Sequence, residues 1–256
     1  MKVVTWNVNS VNVRLPNIIK FIETYKPDVL CLQELKCDDS KYPLDTFDKL
    51  GYTSSHACQK TYNGVSILSR KKPNNVLTNP IFLDPNEKRS VIVTVDGIRI
   101  INLYVVNGKS IGSDKYKYKL DWLSNAKKII KKELEKHKKL ILLGDFNIAP
   151  NVIDSYDPDY NELLCSDEER QSLKSITNLG LYDCYIPDNE NTPYTWWDYR
   201  SGNFYKDIGF RIDLILATGN IKDNLLKYHV HRDTRHKSWC IEQPKTSDHA
   251  PVSIEF

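Results

Sequence analysis

The feature that most constrains the fold is residues 140–147, Leu-Ile-Leu-Leu-Gly-Asp-Phe-Asn. Four consecutive apolar residues predict a strand buried on both faces, and Gly144 predicts its end. If the chain stays extended, Asp145 and Asn147 project to one side and Phe146 to the other. Polar groups at the end of a buried strand indicate a ligand site, because open α/β sheets bind ligands there. A plain Asx-type turn is the simpler interpretation and is favoured on this segment alone.

A second pair of polar strand ends lies near the N-terminus. The run Lys-Val-Val-Thr-Trp leads into Asn7, and the run Asp-Val-Leu-Cys-Leu leads into Gln-Glu34. A helix predicted to open at Pro16 and to stop at Pro27 joins the two strands. Such a βαβ-like unit brings Asn7 and Glu34 to the same edge of a sheet. Glu34 is then either a solvated strand-end carboxylate or a partner of Asn7 around a shared cation.

The middle of the chain predicts further strands and then helices. Residues 64–68 and 90–106 have strand patterns, and Asp96-Gly97 predicts a hairpin turn. Tyr104 lies near the end of the last of these strands, where tyrosine is most often half-buried packing. Residues 120–139 predict an amphipathic helix whose lysines form a solvated face more readily than a nucleic-acid patch.

Two C-terminal segments carry charge beside apolar runs. Asp213 lies two residues after Arg211 in the run 210–217, and a buried carboxylate needs a partner. Asp213 therefore either pairs with Arg211 or orients a histidine. His249 is the candidate, since it has an adjacent acid and precedes a terminal strand. The aromatic segment 194–200 suits stacking on sugars or bases as well as it suits a core plug.

Composition sets wide bounds on the class of protein. The 256 residues are 40% hydrophobic with no low-complexity divider, so we expect a single domain over residues 1–256. The net charge of +3 permits nucleic-acid binding without indicating it. The six cysteines include no Cys-x-x-Cys pair and predict reduced thiols in the cytoplasm. No signal sequence or membrane span is expected.

The polar candidates share one property, which is a position at the end of an apolar strand. Polar residues with independent structural roles would be scattered over loops and helices. Their shared placement at strand ends therefore predicts one acidic pocket at one edge of the sheets. Carboxylates and carboxamides without a cysteine ligand suit Mg²⁺ or Mn²⁺ better than zinc. A metal beside an oriented histidine suits attack of water on a phosphodiester. The candidates are Asn7, Glu34, Asp145, Asn147, Asp213, Asp248 and His249.

These segments together resemble the exonuclease III family of apurinic/apyrimidinic endonucleases, within the endonuclease/exonuclease/phosphatase superfamily. They follow the family's order over the whole chain: Trp6-Asn7-Val8-Asn9, Leu32-Gln33-Glu34, Tyr104 with Asn107-Gly108, Gly144-Asp145-Phe146-Asn147, Trp196-Trp197-Asp198-Tyr199-Arg200, Arg211-Ile212-Asp213 and Ser247-Asp248-His249-Ala250-Pro251-Val252. The resemblance implies an α/β fold, a four-layer α/β sandwich of two packed mixed β-sheets flanked by helices.

The resemblance also implies roles for the central residues. Glu34 would be the principal metal ligand, helped by Asn7. Asp213 would orient His249, which would bind a phosphate oxygen. Asp145 would either activate water or protonate the leaving 3′ oxygen, and the resemblance leaves both open. The implied metal-binding set is Asn7, Glu34, Asp145, Asn147, Asp248 and His249.

The remaining implied roles concern the substrate. Asn147 would position water or phosphate, Tyr104 would hydrogen-bond the phosphate, and Asp248 would act as an outer ligand or an orienting group. Trp196, Phe210 and Ile212 would line a pocket for an extruded abasic sugar. Asn107 is the fourth implied substrate-binding residue. Val106 departs from the proline that is common in the family. Residues 232–245 form an insertion-like stretch that either contacts DNA or is a solvated loop.

The implied function is Mg²⁺-dependent DNA repair by cleavage 5′ to an abasic site, leaving a 3′-hydroxyl, with accompanying 3′-5′ exonuclease and 3′-phosphodiesterase activity. The expected partner is double-stranded DNA with abasic sites or 3′ ends, and no membrane. We expect a cytoplasmic monomer, nucleoid-associated if bacterial. The alternatives are a general nuclease or lipid-directed phosphatase with the same chemistry, and an inactive DNA-binding relative.

Overall fold

The structure is a computed structural model that describes residues 1–187 and 192–256. Within them two six-stranded sheets pack face to face with helices on the outer faces, so the predicted four-layer α/β sandwich is confirmed. The strands are β1 (Lys2–Asn7), β2 (Val29–Gln33), β3 (Thr53–Ala57), β4 (Val65–Ser69), β5 (Asn74–Thr78), β6 (Ser90–Val95), β7 (Ile98–Tyr104), β8 (Leu140–Asp145), β9 (Leu181–Asp183), β10 (Asp213–Thr218), β11 (Lys227–Val230) and β12 (Val252–Glu255). The helices are α1 (Leu15–Tyr25), α2 (Leu44–Lys49), α3 (Asp114–Lys136), α4 (Asp167–Thr177) and α5 (Gly219–Lys222).

Each sheet has one parallel strand pair at its centre. The first sheet has the order β11-β12-β1-β2-β4-β3 and the second the order β5-β6-β7-β8-β10-β9. β1 runs parallel to β2, and β7 runs parallel to β8, while the other pairs are antiparallel. The carboxyl ends of β1, β2, β7 and β8 therefore deliver their following residues to two sheet edges that face each other.

Three apolar layers hold this arrangement. Between the sheets lie buried side chains such as Val3, Val29 and Ile141. α1 and α2 cover the outer face of the first sheet, where the stripe of α1 includes Ile18 and Ile22. α3 and α4 cover the second sheet. No helix among the described residues is long and apolar enough to cross a membrane.

Gly144 lies inside β8 and does not end it, so that prediction is wrong. The strand continues to Asp145, which pairs with Asp213 of β10. Gly144 has φ of 140°, and a Cβ there would come within 1.9 Å of the Leu103 carbonyl oxygen on β7. Glycine is required because the neighbouring backbone approaches too closely for any side chain.

The predicted helices form with shifted ends. α1 matches the helix predicted between Pro16 and Pro27. α3 begins six residues before the predicted Leu120, because the Ser113 side chain accepts a hydrogen bond from the Tyr116 amide and caps it. The Ser166 capping box with Glu169 opens α4. The hairpin at Asp96-Gly97 also forms, between β6 and β7.

Buried polar groups lock the two sheets together next to the site. Gln33 at the end of β2 donates to the Asn102 side chain of β7 at 2.7 Å and to Thr5 of β1 at 2.9 Å. Asn102 donates back to the carbonyl oxygens of Leu32 and Ser66. These bonds are all fully buried, so sliding one sheet over the other would leave unpaired polar groups.

Candidate active site

Two strands from different sheets, β1 and β8, are each followed by a turn of the same type. The Asn9 amide donates to Asn7 Oδ1 at 3.0 Å after β1, and the Asn147 amide donates to Asp145 Oδ1 at 2.9 Å after β8. The residues that donate these bonds, Asn9 and Asn147, have left-handed backbone conformations, with φ of 46° and 50°. The Asx-type turn predicted as the simpler interpretation therefore exists, and the same residues also face the candidate site.

Asn7 joins the carboxylates of the two sheets. Its Nδ2 donates to Glu34 Oε1 at 3.0 Å and to Asp145 Oδ2 at 2.9 Å. The Tyr104 hydroxyl, at the end of β7, donates to the same Glu34 oxygen at 2.8 Å. Glu34 itself follows β2 with φ of 55°, which turns the chain sharply and leaves its carboxylate at the rim. Residues up to 138 positions apart in the sequence are thus brought into one hydrogen-bonded group.

His249 lies between two carboxylates that face each other across a strand pair. Its Nδ1 is 2.8 Å from Asp213 Oδ2, and its Nε2 is 3.8 Å from Asp145 Oδ2. Asp145 and Asp213 are directly opposed in the β8–β10 ladder. Arg211 binds elsewhere, to Asp154 and Asp183. The alternative of an Asp213–Arg211 pair is therefore absent, and Asp213 has the histidine partner that the functional interpretation required.

The electrostatics of this group follow from its burial and its charges. Burial alone would lower the pKa of His249, but the charges of Asp213 and Asp145 raise it to about 10. Burial raises the pKa of Asp145 well above its usual value, and the Asp213 charge adds to this effect. Burial would raise the pKa of Glu34 as well, but the Lys36 charge and the Asn7 amide keep it below its ordinary value.

Asn147 and Asn107 form a second edge of the site. Asn107 Nδ2 donates to Asn147 Oδ1 at 3.1 Å, and Asn147 Nδ2 donates to the Val105 carbonyl at 3.0 Å. The fully buried Lys119 donates from α3 to the Asn147 carbonyl at 2.7 Å and pairs with Glu169. The loop that carries Asn107 is therefore held in place by hydrogen bonds from neighbouring side chains.

An apolar wall lies beside His249. Trp196 packs against Phe210 with ring centroids 5.9 Å apart, and Phe210 and Ile212 belong to one apolar cluster. Trp196 Nε1 donates to Asp248 Oδ2 at 3.0 Å, while Asn9 donates to the other Asp248 oxygen. Both oxygens of Asp248 are thus occupied by neighbouring side chains, an arrangement that suits orientation of Trp196.

The aromatic segment 194–200 divides between the two interpretations that the sequence left open. Trp196 lines the apolar wall, whereas Trp197 is fully buried and packs on Phe204.

Residues 232–245, for which the sequence left open a DNA contact or a solvated loop, contact the same region. Arg235 is buried, lies over the rings of Trp197 and Phe204, and donates to the Ser247 carbonyl. This arginine supports the segment that precedes His249 and is not a free surface group.

Sequence reasoning missed two residues that contact the central group. Lys36 Nζ is 2.6 Å from Glu34 Oε2 and 2.6 Å from Asn9 Oδ1. The Thr195 hydroxyl donates to Asp213 Oδ2 at 2.7 Å and accepts from the Asp213 amide at 3.1 Å. Lys36 could have been found from its place two residues after Glu34. Thr195 has no comparable signal, because its contact depends on the packing of a distant loop against β10.

The donor chemistry of the cluster fits a hard divalent cation. Metal-binding atoms of Asp145, Asp213 and His249 lie within 4.8 Å of one another, and the Asn7 amide connects them to Glu34. The donors are carboxylate and amide oxygens with a single imidazole and no sulfur. A phosphate would be repelled by these carboxylates unless a cation is present. The arrangement can therefore bind a metal, present a charged histidine, and move a proton at Asp145.

Comparison with known proteins places this geometry in a family. The model of the endonuclease/exonuclease/phosphatase family matches residues 4–249. Exodeoxyribonuclease III of Haemophilus influenzae is 29% identical over 272 aligned positions, which cover 100% of both chains.

Solved structures agree with the sequence match. A 3′-5′ exonuclease from Neisseria meningitidis superposes with a TM-score of 0.93 at 41% identity, covering 100% of this chain and 99% of that one. The same Neisseria protein, described as a 3′ phosphatase, has also been solved with a product DNA hairpin. An AP endonuclease from Archaeoglobus fulgidus has a TM-score of 0.92 at 32% identity, with the same coverage.

Proposed function

The chain belongs to the endonuclease/exonuclease/phosphatase family, and from this premise we propose that it hydrolyses the phosphodiester bond 5′ to an abasic site in double-stranded DNA. It is a metal-dependent DNA repair hydrolase of the exonuclease III type. The observation that supports the proposal best is that two hydrogen-bonded groups, Asn7–Glu34–Asp145 and Asp213–His249, meet where His249 Nε2 lies 3.8 Å from Asp145 Oδ2. Pure DNA binding requires none of these buried carboxylates, which repel phosphate.

We propose Mg²⁺ as the cofactor, with Mn²⁺ as a substitute. Glu34 would be its principal ligand, because this carboxylate is ionised and lies at the rim. When bound, the cation supplies stabilisation of the charge that develops on the phosphate, worth several kcal/mol. The full set proposed to hold or surround it is Asn7, Glu34, Asp145, Asn147, Asp248 and His249. In the present arrangement Asn7 turns its Nδ2 to the carboxylates, and Asp248 is bonded to Asn9 and Trp196.

His249 would hold a phosphate oxygen. Asp213 accepts a hydrogen bond from Nδ1–H, so Nε2 is the nitrogen that faces the rim and Asp145. Because the paired carboxylates keep the imidazole protonated, Nε2–H donates a charge-assisted hydrogen bond. The Thr195 hydroxyl donates to the same Asp213 oxygen and helps to keep it in place. Asp213 acts on the substrate through the histidine that it orients and charges.

Asp145 would transfer the proton of the reaction. Its pKa is raised by burial and by Asp213, which suits a group that exchanges a proton near neutral pH. It either takes a proton from the attacking water or gives one to the leaving 3′ oxygen. Asn147, bonded to Asp145 through its amide, would position the water or the phosphate. Tyr104 would redirect its hydroxyl from Glu34 to a phosphate oxygen.

The substrate selectivity would come from the apolar wall. Trp196, Phe210 and Ile212 lie beside His249 and offer no partner for a base edge. An extruded sugar without a base would be accepted there, and extrusion is easiest where base pairing is already lost. Asn107 would contact the adjacent backbone from the second edge of the site.

The test is incision of a duplex that carries one tetrahydrofuran residue, with Mg²⁺ or with excess chelator. Glu34→Gln is expected to lower kcat/KM by about 10³-fold, since several kcal/mol of metal stabilisation is lost and each 1.36 kcal/mol is about tenfold. Glu135→Gln, on the exposed face of α3, is the matched control and should incise like the wild type. Full Mg²⁺-dependent incision by Glu34→Gln would refute the metal assignment.

A second candidate is processing of 3′ ends. The Neisseria relative at 41% identity is named a 3′-5′ exonuclease and a 3′ phosphatase, which favours 3′-end activities in the same pocket. Comparing tetrahydrofuran incision with digestion of a recessed 3′ end and removal of a 3′ phosphate will rank these activities. We further propose that residues 1–256 act as one domain and as a cytoplasmic monomer, which size-exclusion chromatography and localisation would test.

A further inference from the structure

Three side chains that could bind a metal, Asp39, His56 and Cys58, lie together outside the group described above, and Cys37 contacts Cys58. Cys37 follows β2, and Asp39 begins a one-turn 3₁₀ helix, Asp39–Lys41. His56 lies on the edge strand β3, and Cys58 comes directly after that strand. Both cysteines are buried, while the histidine and the aspartate reach the surface. Two alternating pairs, Cys-x-Asp and His-x-Cys, are therefore brought together from separate segments.

The distances between these atoms are close to those of a coordinated ion. Cys37 Sγ and Cys58 Sγ are 4.0 Å apart. Asp39 Oδ1 is 3.8 Å from His56 Nε2, and metal-binding atoms of Asp39, His56 and Cys58 all lie within 4.8 Å of one another. Two sulfurs bound to one tetrahedral zinc are about 3.8 Å apart, as follows from a Zn–S bond of about 2.3 Å. A disulfide would need the sulfurs at about 2.05 Å.

Neighbouring groups fix the histidine with its free nitrogen toward the cluster. Ser54 Oγ is 3.2 Å from His56 Nδ1, and the Tyr42 hydroxyl is 2.7 Å from the same Ser54 oxygen. The His56 ring also stacks on the Tyr42 ring, with centroids 4.2 Å apart and an interplanar angle of 24°. A hydrogen bond at Nδ1 leaves Nε2 as the coordinating atom, which is how metal-binding histidines are usually held.

We propose that Cys37, Asp39, His56 and Cys58 bind one structural Zn²⁺ ion. Thiolate and imidazole donors select zinc over Mg²⁺, whereas the active site offers oxygens and an imidazole. Binding replaces the thiol protons of both cysteines, which are released to solvent. The ion would tie the segment after β2, which also carries Glu34 and Lys36, to the edge strand β3. Its role is to stabilise this segment, and it takes no part in hydrolysis.

Cobalt provides a spectroscopic test that separates the two metal sites. The zinc-free protein is titrated with Co²⁺ in the presence of excess Mg²⁺, which occupies the oxygen-rich site. A thiolate-to-cobalt charge-transfer band in the near ultraviolet, saturating at a stoichiometric ratio, is expected for the wild type. Cys58→Ser should lose most of this band, and Cys240→Ser should keep it, because Cys240 lies outside the cluster with Glu242 as its neighbour. A wild type without the band, or an equal band in Cys58→Ser, would overturn the proposal.

Zinc affinity gives a second readout that does not depend on one variant. Loss of an outer partner of a metal ligand costs about 10–100-fold in affinity. Loss of a ligand in His56→Phe, which can still stack on Tyr42, should therefore weaken Zn²⁺ binding by more than about 100-fold. Zn²⁺ should also raise the Tm of the wild type and of Cys240→Ser, but not that of His56→Phe. Wild-type protein that holds a Cys37–Cys58 disulfide under reducing conditions and ignores Zn²⁺ would show a redox pair in place of a metal site.

Discussion

Arg211 and Asp213 are two residues apart, and each begins a buried network of charges. Arg211 donates to both oxygens of Asp154, at 2.6 and 3.1 Å, and to Asp183 at 2.8 Å. Asp213 accepts from His249, and His249 in turn faces Asp145. The first network joins opposite charges. The second places two carboxylates directly opposite each other in the ladder, with one histidine between them.

This difference separates structural charge from catalytic charge. The Arg211 network is closed in the sense that its positive charge is paired with two carboxylates and lies over the Tyr185 ring at 4.6 Å. The Asp213 network ends at a charged nitrogen that faces the rim, and it keeps like charges close together. A closed network should control stability with little effect on activity, and an open one should do the reverse.

Asp145→Asn should have the largest effect. General acid–base catalysis contributes about 10²–10⁴-fold, so kcat for tetrahydrofuran incision should fall by about 10³-fold or more. The Tm should stay the same or rise, since a carboxylate opposite Asp213 is removed from a buried ladder. Incision kinetics and thermal unfolding measure the two quantities. Asp121→Asn, exposed on α3, is the control that should change neither. A large loss of stability in Asp145→Asn would place this carboxylate among the structural charges.

Arg211→Met should show the opposite behaviour. Removing one partner of a buried ion pair leaves an unpaired charge and costs about 3–5 kcal/mol in the free energy of unfolding. The kcat of the folded fraction should stay within about threefold of the wild type, because the buried Arg211 side chain pairs with Asp154 and Asp183 and with none of the proposed catalytic carboxylates. Chemical denaturation and active-site titration separate the two effects. Arg200→Met removes the exposed Arg200–Asp198 pair and should leave the denaturation midpoint unchanged.

Asp213→Asn tests the open network through the protonation of His249. Because the Asp213 charge raises the pKa of His249, the variant should lose the imidazole proton at a pH at least one unit lower, equivalent to about 1.4 kcal/mol. Because the protonated imidazole holds the phosphate, the variant should lose this contact, and with it activity, at a lower pH than the wild type as the pH is raised. NMR titration of His249 in metal-free protein measures the shift directly. His231, whose pKa burial lowers to about 2, provides an internal reference that should not move.

The strand ends could be predicted from the sequence because their signals are local. The apolar run of β8 and the polar residues after β1 and β2 are visible without any tertiary knowledge. The role of Gly144 was not visible, because it depends on the approach of Leu103 from another strand. The early start of α3 was missed for a related reason. Its first turns bury Lys119, and a lysine is buried only where it has a charged partner, here Glu169 of a distant segment.

The candidate site follows the same rule. Asp213 and His249 were found because each is an exception to its apolar surroundings, and their mutual contact is confirmed by the geometry. Thr195 was missed because a threonine in an aromatic segment is unremarkable until the segment folds over β10. The cysteines 37 and 58 were seen only as reduced thiols, since their approach depends on β3 lying beside the segment after β2. Contacts between distant segments are the part that periodicity does not encode.

Thr195→Val should have the smallest effect and the opposite sign to Asp213→Asn. The hydroxyl donates to Asp213 Oδ2, and its loss removes about 1 kcal/mol of stabilisation from the carboxylate. The more basic Asp213 should then raise the pKa of His249 further, while kcat falls by less than about tenfold. The same NMR titration reports the direction. If the pKa of His249 instead falls in both variants, Thr195 does not act on the histidine through Asp213. The hydroxyl of Thr195 is then not part of the open network.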